Sequence, residues 1–128
     1  MRVLIDTHVL LWSALEPARL SSRARLLLAS LDTEVLVSAA SAWEIATKVR
    51  IGKLPGAEAF AADLNTRIKR IGFLGLAVTL EHGQRAGLLP GTHKDPFDRM
   101  LIAQAQAENL PLISNERIFD AYGIRRIW

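Results

Sequence analysis

Cysteine is absent from the 128-residue chain. Disulfides, thiolate zinc sites, iron–sulfur clusters and cysteine nucleophiles are therefore excluded, and any metal ion would have to bind oxygen or imidazole ligands. Proline and glycine number only 5 and 8, which is not the composition of a disordered chain. No apolar run approaches the roughly 18 residues that cross a bilayer, and the first residues do not resemble a secretory signal. We expect a single cytoplasmic domain over residues 1–128.

Neither sign of charge dominates, since 16 Lys and Arg residues face 13 Asp and Glu residues for a net charge of +3. This balance is compatible with a polyanionic partner but does not require one. Basic residues cluster around positions 48–53, 67–70 and 125–126. Each cluster alone is more typical of a solvated helix face than of a nucleic-acid contact.

Short apolar segments alternate with helical ones along the chain. Strands are predicted at about 3–5, 34–37, 74–78, 110–113 and 124–127, and helices at about 7–15, 21–31, 38–51, 57–70, 79–89, 95–109 and 116–122. Continuous apolar strands are typical of a parallel sheet that is covered on both faces, and no hairpin signal joins them. The sequence therefore predicts an α/β sandwich around a parallel sheet of four to five strands.

Two acidic residues follow predicted strands. Asp6 comes directly after the first strand, and Glu116 comes three residues after the fourth. Ligands of parallel sheets bind beyond the carboxyl ends of the strands, so we expect both acids on one rim. For Asp6 a helix-capping role is an equally good interpretation, with Thr7 as another possible N-cap.

Glu44 lies in the predicted helix over residues 38–51, at the border of its apolar stripe. The simpler interpretation is a surface ion pair with Lys48, one helical turn away. A functional role for Glu44 depends on the other acids lying nearby.

Asp98 occupies the third position of a predicted helix that Asp95 and Pro96 begin as N-cap and first residue. An acid there suits the helix dipole, but Asp98 also shares a stripe with apolar Leu101 and Ile102. An inward carboxylate is costly unless it is paired or bound to a cation, and no Lys or Arg has a spacing that pairs it along this stripe. Acidic residues in a chain that has no cysteine indicate a site for Mg²⁺ or Mn²⁺. Such an ion can activate a water molecule for attack on a phosphoryl group.

Other catalytic patterns are missing. The three histidines do not form an HExxH motif, and there is no GxSxG elbow, P-loop or dinucleotide glycine fingerprint. His93 is expected to be a loop residue rather than a metal ligand.

Four segments, in this order, resemble the PIN-domain nucleases and, within them, the VapC-type toxins of type II toxin–antitoxin pairs. They are Leu4–Trp12, Ser41–Ile45 with Gly52–Leu54, His93–Arg99 with Leu101–Ala103, and Leu112–Glu116. The resemblance covers the whole chain and implies the PIN-like α/β/α sandwich.

The resemblance also implies an acidic site that binds Mg²⁺ or Mn²⁺ and catalyses RNA hydrolysis by metal-activated water. Its four catalytic and metal-binding residues would be Asp6, Glu44, Asp98 and Glu116. Glu116 stands where many members carry aspartate. Supporting residues would be Thr7, Ser114, Asn115 and, at the capping position, Asp95. The implied partners are an RNA substrate, a cognate antitoxin and a second copy of the chain, with no membrane.

Three alternatives stay open at this stage. One is a housekeeping PIN ribonuclease without an antitoxin, and another is a non-enzymatic RNA-binding PIN module. A phospho-acceptor receiver domain fits poorly, because Thr79 rather than aspartate follows the third strand and no lysine lies beyond Lys94.

One apolar stripe has helical spacing that favours core packing over an antitoxin groove; it consists of Phe60, Leu64, Ile68 and Ile71.

Overall fold

The computed structural model describes residues 1–128, and its centre is one five-stranded sheet. All pairings are parallel, and the strand order is β3-β2-β1-β4-β5. The strands are β1 (Arg2–Ile5), β2 (Glu34–Ser38), β3 (Leu74–Leu76), β4 (Leu112–Ile113) and β5 (Arg126–Ile127). The predicted α/β architecture with a parallel sheet of four to five strands is confirmed.

The central strand β1 fixes the position of the residue that follows it. Ile5 pairs with Val37 on one side and Ile113 on the other, and all three are buried. The N–H of Asp6 then donates to the carbonyl of Ile113 at 3.2 Å. Asp6 therefore lies at the middle of the carboxyl edge of the sheet.

Seven α-helices surround the sheet. They are α1 (Thr7–Leu15), α2 (Ser22–Ala29), α3 (Ala39–Arg50), α4 (Glu58–Ala62), α5 (Leu64–Arg70), α6 (Leu80–Leu88) and α7 (Pro96–Ala107), with 3₁₀ turns at Pro17–Arg19 and Arg117–Tyr122. None of these helices has both the length and the apolar character that crossing a bilayer requires.

Each face of the sheet has its own core, because successive side chains of a strand point to opposite faces. Val3 and Ile5 belong to the larger core, while Leu4 belongs to the smaller one with Phe119. Phe60, Leu64 and Ile68 are buried in the larger core, and Ile71 at the end of α5 is half exposed. The prediction of core packing is therefore confirmed for Phe60, Leu64 and Ile68 and wrong for Ile71.

Several predicted elements are shorter or divided in the structure. The helix predicted over 57–70 is two helices, because Asp63 leaves the helical region with φ −127° and ψ 28°. The strand predicted from residue 110 begins only at Leu112, since Pro111 has no N–H for a strand ladder. The segment predicted as a helix over 116–122 is a 3₁₀ helix from Arg117 to Tyr122.

Candidate active site

Asp6 is the N-cap of α1. Its Oδ1 accepts a hydrogen bond from the N–H of Val9 at 2.7 Å, so the suggestion that Thr7 caps this helix is wrong. The residue is 3% exposed, and its second oxygen, Oδ2, is buried without a hydrogen-bond partner. Burial raises the pKa of Asp6 to about 6, although the Ser114 hydroxyl and the Val9 N–H favour the charged form. Capping thus occupies one carboxylate oxygen and leaves the other one free.

The next residue, Thr7, connects this edge to α3. Its hydroxyl Oγ1 donates to Oε1 of Glu44 at 2.6 Å and lies 3.0 Å from the Ser41 hydroxyl. The other carboxylate oxygen of Glu44 is paired with the Lys48 ammonium. The pair with Lys48 forms, but its interpretation as a surface feature is wrong: Glu44 is 5% exposed because α3 packs against both α1 and α7.

Asp95 caps α7, as predicted from the Asp-Pro pair. Its Oδ1 accepts from the N–H groups of Phe97 and Asp98 at 2.9 and 3.0 Å, and Pro96 is the first helical residue. This cap fixes the first turn of α7 and with it the Asp98 side chain.

The expectation that Asp98 has no partner is wrong. Its Oδ2 lies 2.8 Å from Nε2 of His93, which comes from the loop before the helix and not from the helical stripe. Burial raises the pKa of Asp98 to about 6. The His93 hydrogen bond lowers this pKa, and the charges of Asp95 and Glu116 raise it. His93 is a loop residue, as predicted, but it takes part in the acidic cluster.

Arg99, next to Asp98 in sequence, points away from it and binds backbone carbonyls. Its guanidinium donates to the carbonyls of Ala86 at 3.1 Å, Leu89 at 2.6 Å and His93 at 3.0 Å. These bonds join the end of α6 to the loop that carries His93.

The charge of Glu116 acts on both aspartates and raises the pKa of Asp6 and of Asp98. Its carboxylate is 3.2 Å from Nδ1 of His8, and its N–H donates to the Ser114 hydroxyl at 3.0 Å. The buried Ser114 thus orients the loop after β4.

Lys48 links Glu44 to the rest of the cluster. Partial burial lowers its pKa, but the hydrogen bond that Lys48 donates to Glu44 and the charges of Glu44, Asp95 and Asp98 raise it overall. The structure therefore places the four predicted acids along the carboxyl edge of the sheet. Lys48 is paired with Glu44 and also feels the charges of Asp95 and Asp98. Asn115 is exposed at the same edge.

No three carboxylate or imidazole groups converge closely enough to hold one metal ion by themselves. Mg²⁺, however, usually keeps several waters and is bound directly by only one or two protein carboxylates. The buried free Oδ2 of Asp6 and the desolvated carboxyl of Asp98 are hard oxygen donors of that kind. The residues present therefore fit a hydrated divalent cation, and a fully protein-liganded ion does not fit.

Sequence reasoning missed the two imidazoles that contact acids of the candidate site, His8 on Glu116 and His93 on Asp98. The available signal was proximity in sequence: His8 is two residues from Asp6, and His93 is two residues before the cap at Asp95. Spacing rules for metal-binding histidines do not detect such contacts.

Comparison with known proteins gives consistent matches. The PIN domain model matches residues 3–124. Ribonuclease VapC16 of Mycobacterium tuberculosis is 39% identical over 74 residues, and the match covers 56% of this chain and 52% of that protein, so the chain spans about half the length of this relative.

Solved structures share the fold. VapBC2 from Rickettsia felis, bound to a DNA fragment from its promoter, has a TM-score of 0.73 at 16% identity and covers 99% of this chain and 98% of that one. A toxin–antitoxin complex from Klebsiella pneumoniae has a TM-score of 0.67 at 18% identity and covers 98% and 96%. The resemblance seen in the sequence is confirmed, and the chain belongs to the PIN domain family.

Proposed function

We propose that the chain is a ribonuclease of the VapC toxin type, which hydrolyses RNA phosphodiester bonds with Mg²⁺ or Mn²⁺. The observation that carries this proposal is the pair of desolvated aspartates, the buried Asp6 and the partly exposed Asp98, with the charge of Glu116 acting on both. Such an arrangement is costly for a structural role and useful for binding a cation.

The electrostatics favour a cation at neutral pH. With pKa values of about 6, Asp6 and Asp98 are both mainly ionised at pH 7 and both poorly solvated. A divalent ion would offset that desolvation, and protonation below pH 6 would compete with it.

We assign the direct metal contacts to Asp6 and Asp98, with Glu116 and Glu44 acting through coordinated water. Asp6 has a free oxygen, whereas Asp98 and Glu116 each have one imidazole contact, from His93 and His8 respectively. Glu44 is held from both sides by Thr7 and Lys48, which makes it the least available of the four.

The bound ion would supply an activated water and would polarise a phosphoryl oxygen. The chain's own residues position the acids. The cap bond to Val9 fixes Asp6, the Asp95 cap fixes the first turn of α7, and Ser114 holds the loop of Glu116. This support comes from helix ends and backbone groups, so the site is built on rigid elements.

The comparisons support the biological part of the proposal. The relative at 39% identity is a ribonuclease, and the structural neighbours include VapBC2 and a toxin–antitoxin complex. We therefore propose a cytoplasmic toxin whose partners are an RNA substrate, a cognate antitoxin protein and a second copy of the chain. Purification of the chain co-expressed with the product of its neighbouring reading frame tests the antitoxin, and sedimentation tests the dimer.

Cleavage of labelled RNA in Mn²⁺ and in EDTA tests the proposed chemistry. Asp6→Asn and Asp98→Asn should abolish cleavage while the circular dichroism spectrum is retained. Asp32→Asn, an exposed aspartate at the opposite end of the sheet beside Met1, is the matched control and should cleave normally. Undiminished cleavage by the Asp6→Asn, Asp98→Asn double variant would disprove the assignment.

Calorimetric titration with Mn²⁺ separates this function from a non-enzymatic PIN module. The wild type should bind Mn²⁺, and the double variant should not. Absence of binding by the wild type, together with intact RNA binding, would favour the non-enzymatic alternative.

A further inference from the structure

A cleft of about 430 Å³ lies directly beside the acidic edge. It is enclosed by α1, the 3₁₀ turn after it, the turn at residues 54–57 and the loop after β4. It is lined by Glu116 and by the His8 ring in contact with it, and also by Trp12 and Arg19. The cleft therefore shares Glu116 with the proposed catalytic site.

Trp12 presents a fixed aromatic surface in this cleft. Its ring lies 5.7 Å from the His8 ring with the two planes 31° apart, and 5.9 Å from the Trp128 ring. The Arg19 guanidinium carbon is 4.6 Å from the Trp12 ring centroid, a cation–π distance. A half-buried ring held by three neighbours loses little entropy when a flat ligand packs against it.

The charged groups of the cleft are already paired. Arg19 contacts Glu16 at 3.5 Å, and Glu116 contacts His8 at 3.2 Å. A ligand that brings its own charge would have to disrupt one of these pairs, whereas a neutral planar group would not. Asn115, exposed at the rim, adds an amide with both donor and acceptor capacity.

We infer that this cleft binds one unpaired base of the RNA strand, next to the phosphate that the acids would hold. The inference rests on the proposed ribonuclease function and adds a requirement that the target be single-stranded at this position. A base within a duplex is stacked on its neighbours and presents no free face to Trp12, whereas a splayed base can stack on an aromatic ring and an arginine plane.

The test measures RNA binding without cleavage. A fluorescein-labelled single-stranded RNA is titrated in EDTA, and anisotropy gives the affinity. Trp12→Ala should weaken binding roughly tenfold, which is the usual range for losing one base–aromatic stack. Arg19→Ala, an exposed change that keeps the core intact, should weaken it roughly threefold.

Arg85→Ala is the matched control for Arg19. Arg85 is also an exposed helical arginine, paired with Glu81 at 3.7 Å, but it lies in α6, away from the cleft. Its substitution should leave RNA affinity unchanged. Equal effects of Arg19→Ala and Arg85→Ala would show that only general positive charge matters and would overturn the inference.

An abasic scan makes the test independent of folding defects. RNAs that lack the base at one position in turn should include one position where wild-type affinity falls roughly tenfold. Trp12→Ala and Arg19→Ala should lose much less at that position, because the stacking partner is already gone. The inference is overturned if no abasic position weakens binding, or if the loss from the missing base and the loss from the substitution are additive. Cleavage by the wild type would still support the proposed ribonuclease function.

Two further outcomes distinguish the possible failures. If the Trp12 and Arg19 variants bind RNA normally but lose a co-expressed protein partner, the cleft is a protein-docking site and the inference is wrong. If the wild type neither binds nor cleaves RNA, the proposed function itself fails, and the inference fails with it.

Discussion

The carboxylate of Asp6 should reduce the stability of the metal-free protein at neutral pH. Its pKa is about 6 in the folded state, against 3.8 for an ordinary aspartate, chiefly because the side chain is buried. This difference corresponds to about 3 kcal/mol of unfolding free energy. Because the folded-state pKa is the higher one, the folded protein binds the proton more tightly. The penalty is therefore absent below about pH 4 and grows as the pH rises through 6.

Asp6→Asn isolates this penalty, because asparagine also accepts the Val9 N–H at an N-cap. At pH 7.5 in EDTA we expect the variant to be more stable than the wild type, by up to about 3 kcal/mol. Near pH 4 the two proteins should have similar stability. Asp6→Ala also removes the charge but loses the cap, so it should recover about 1 kcal/mol less than Asp6→Asn.

Urea unfolding followed by tryptophan fluorescence at pH 4.5, 6 and 7.5 measures these differences. Asp32→Asn provides the control, because that aspartate is exposed and its substitution should change stability little at any pH. The electrostatic reasoning is refuted if Asp6→Asn is no more stable than the wild type at pH 7.5. It is refuted equally if the difference does not vary with pH.

Three other outcomes are expected. Lys48→Met leaves the buried Glu44 carboxylate without its cation and should lower the free energy of unfolding by about 1–2 kcal/mol. The loss is smaller than for a fully buried pair because Lys48 is one-third exposed. Adding Glu44→Gln to the same chain should restore most of the lost stability, as measured by urea unfolding. Asp95→Ala removes the cap of α7 and should cost about 1 kcal/mol, whereas Asp95→Asn should cost a few tenths at most. Mn²⁺ at one hundred times its dissociation constant should stabilise the wild type by about 2.7 kcal/mol, with a smaller effect below pH 6 and none in Asp98→Asn, as thermal melts would show.

Local signals in the sequence predicted most of the elements. The apolar run of β1 and the polar residues after it predicted α1 over residues 7–15, and the Asp95-Pro96 pair predicted the start of α7. The order of the strands was not predictable in this way, because it depends on which apolar faces the helices can cover together. The break at Asp63 was also missed, since helical spacing continues through it.

The candidate site was predictable in composition but not in its pairings. Strand ends and helix starts indicated where Asp6, Asp98 and Glu116 would lie. The contacts of Asp98 with His93 and of Glu116 with His8 depend on how two loops fold against the sheet, and no periodicity in the sequence encodes that geometry. The burial of Glu44 was missed for a similar reason, because it results from α3 packing against two helices at once.

The four hydrogen bonds from the Arg99 guanidinium to backbone carbonyls make the position of His93 dependent on a side chain that contacts none of the acidic side chains. A guanidinium is planar and always charged, so it fastens the loop at the same place across the whole pH range in which Asp98 titrates. Arg99→Lys would keep the positive charge but lose the fork that spans the carbonyls. The His93 imidazole would then no longer be held at one position beside Asp98. The pKa of Asp98 would change although Asp98 itself is not substituted.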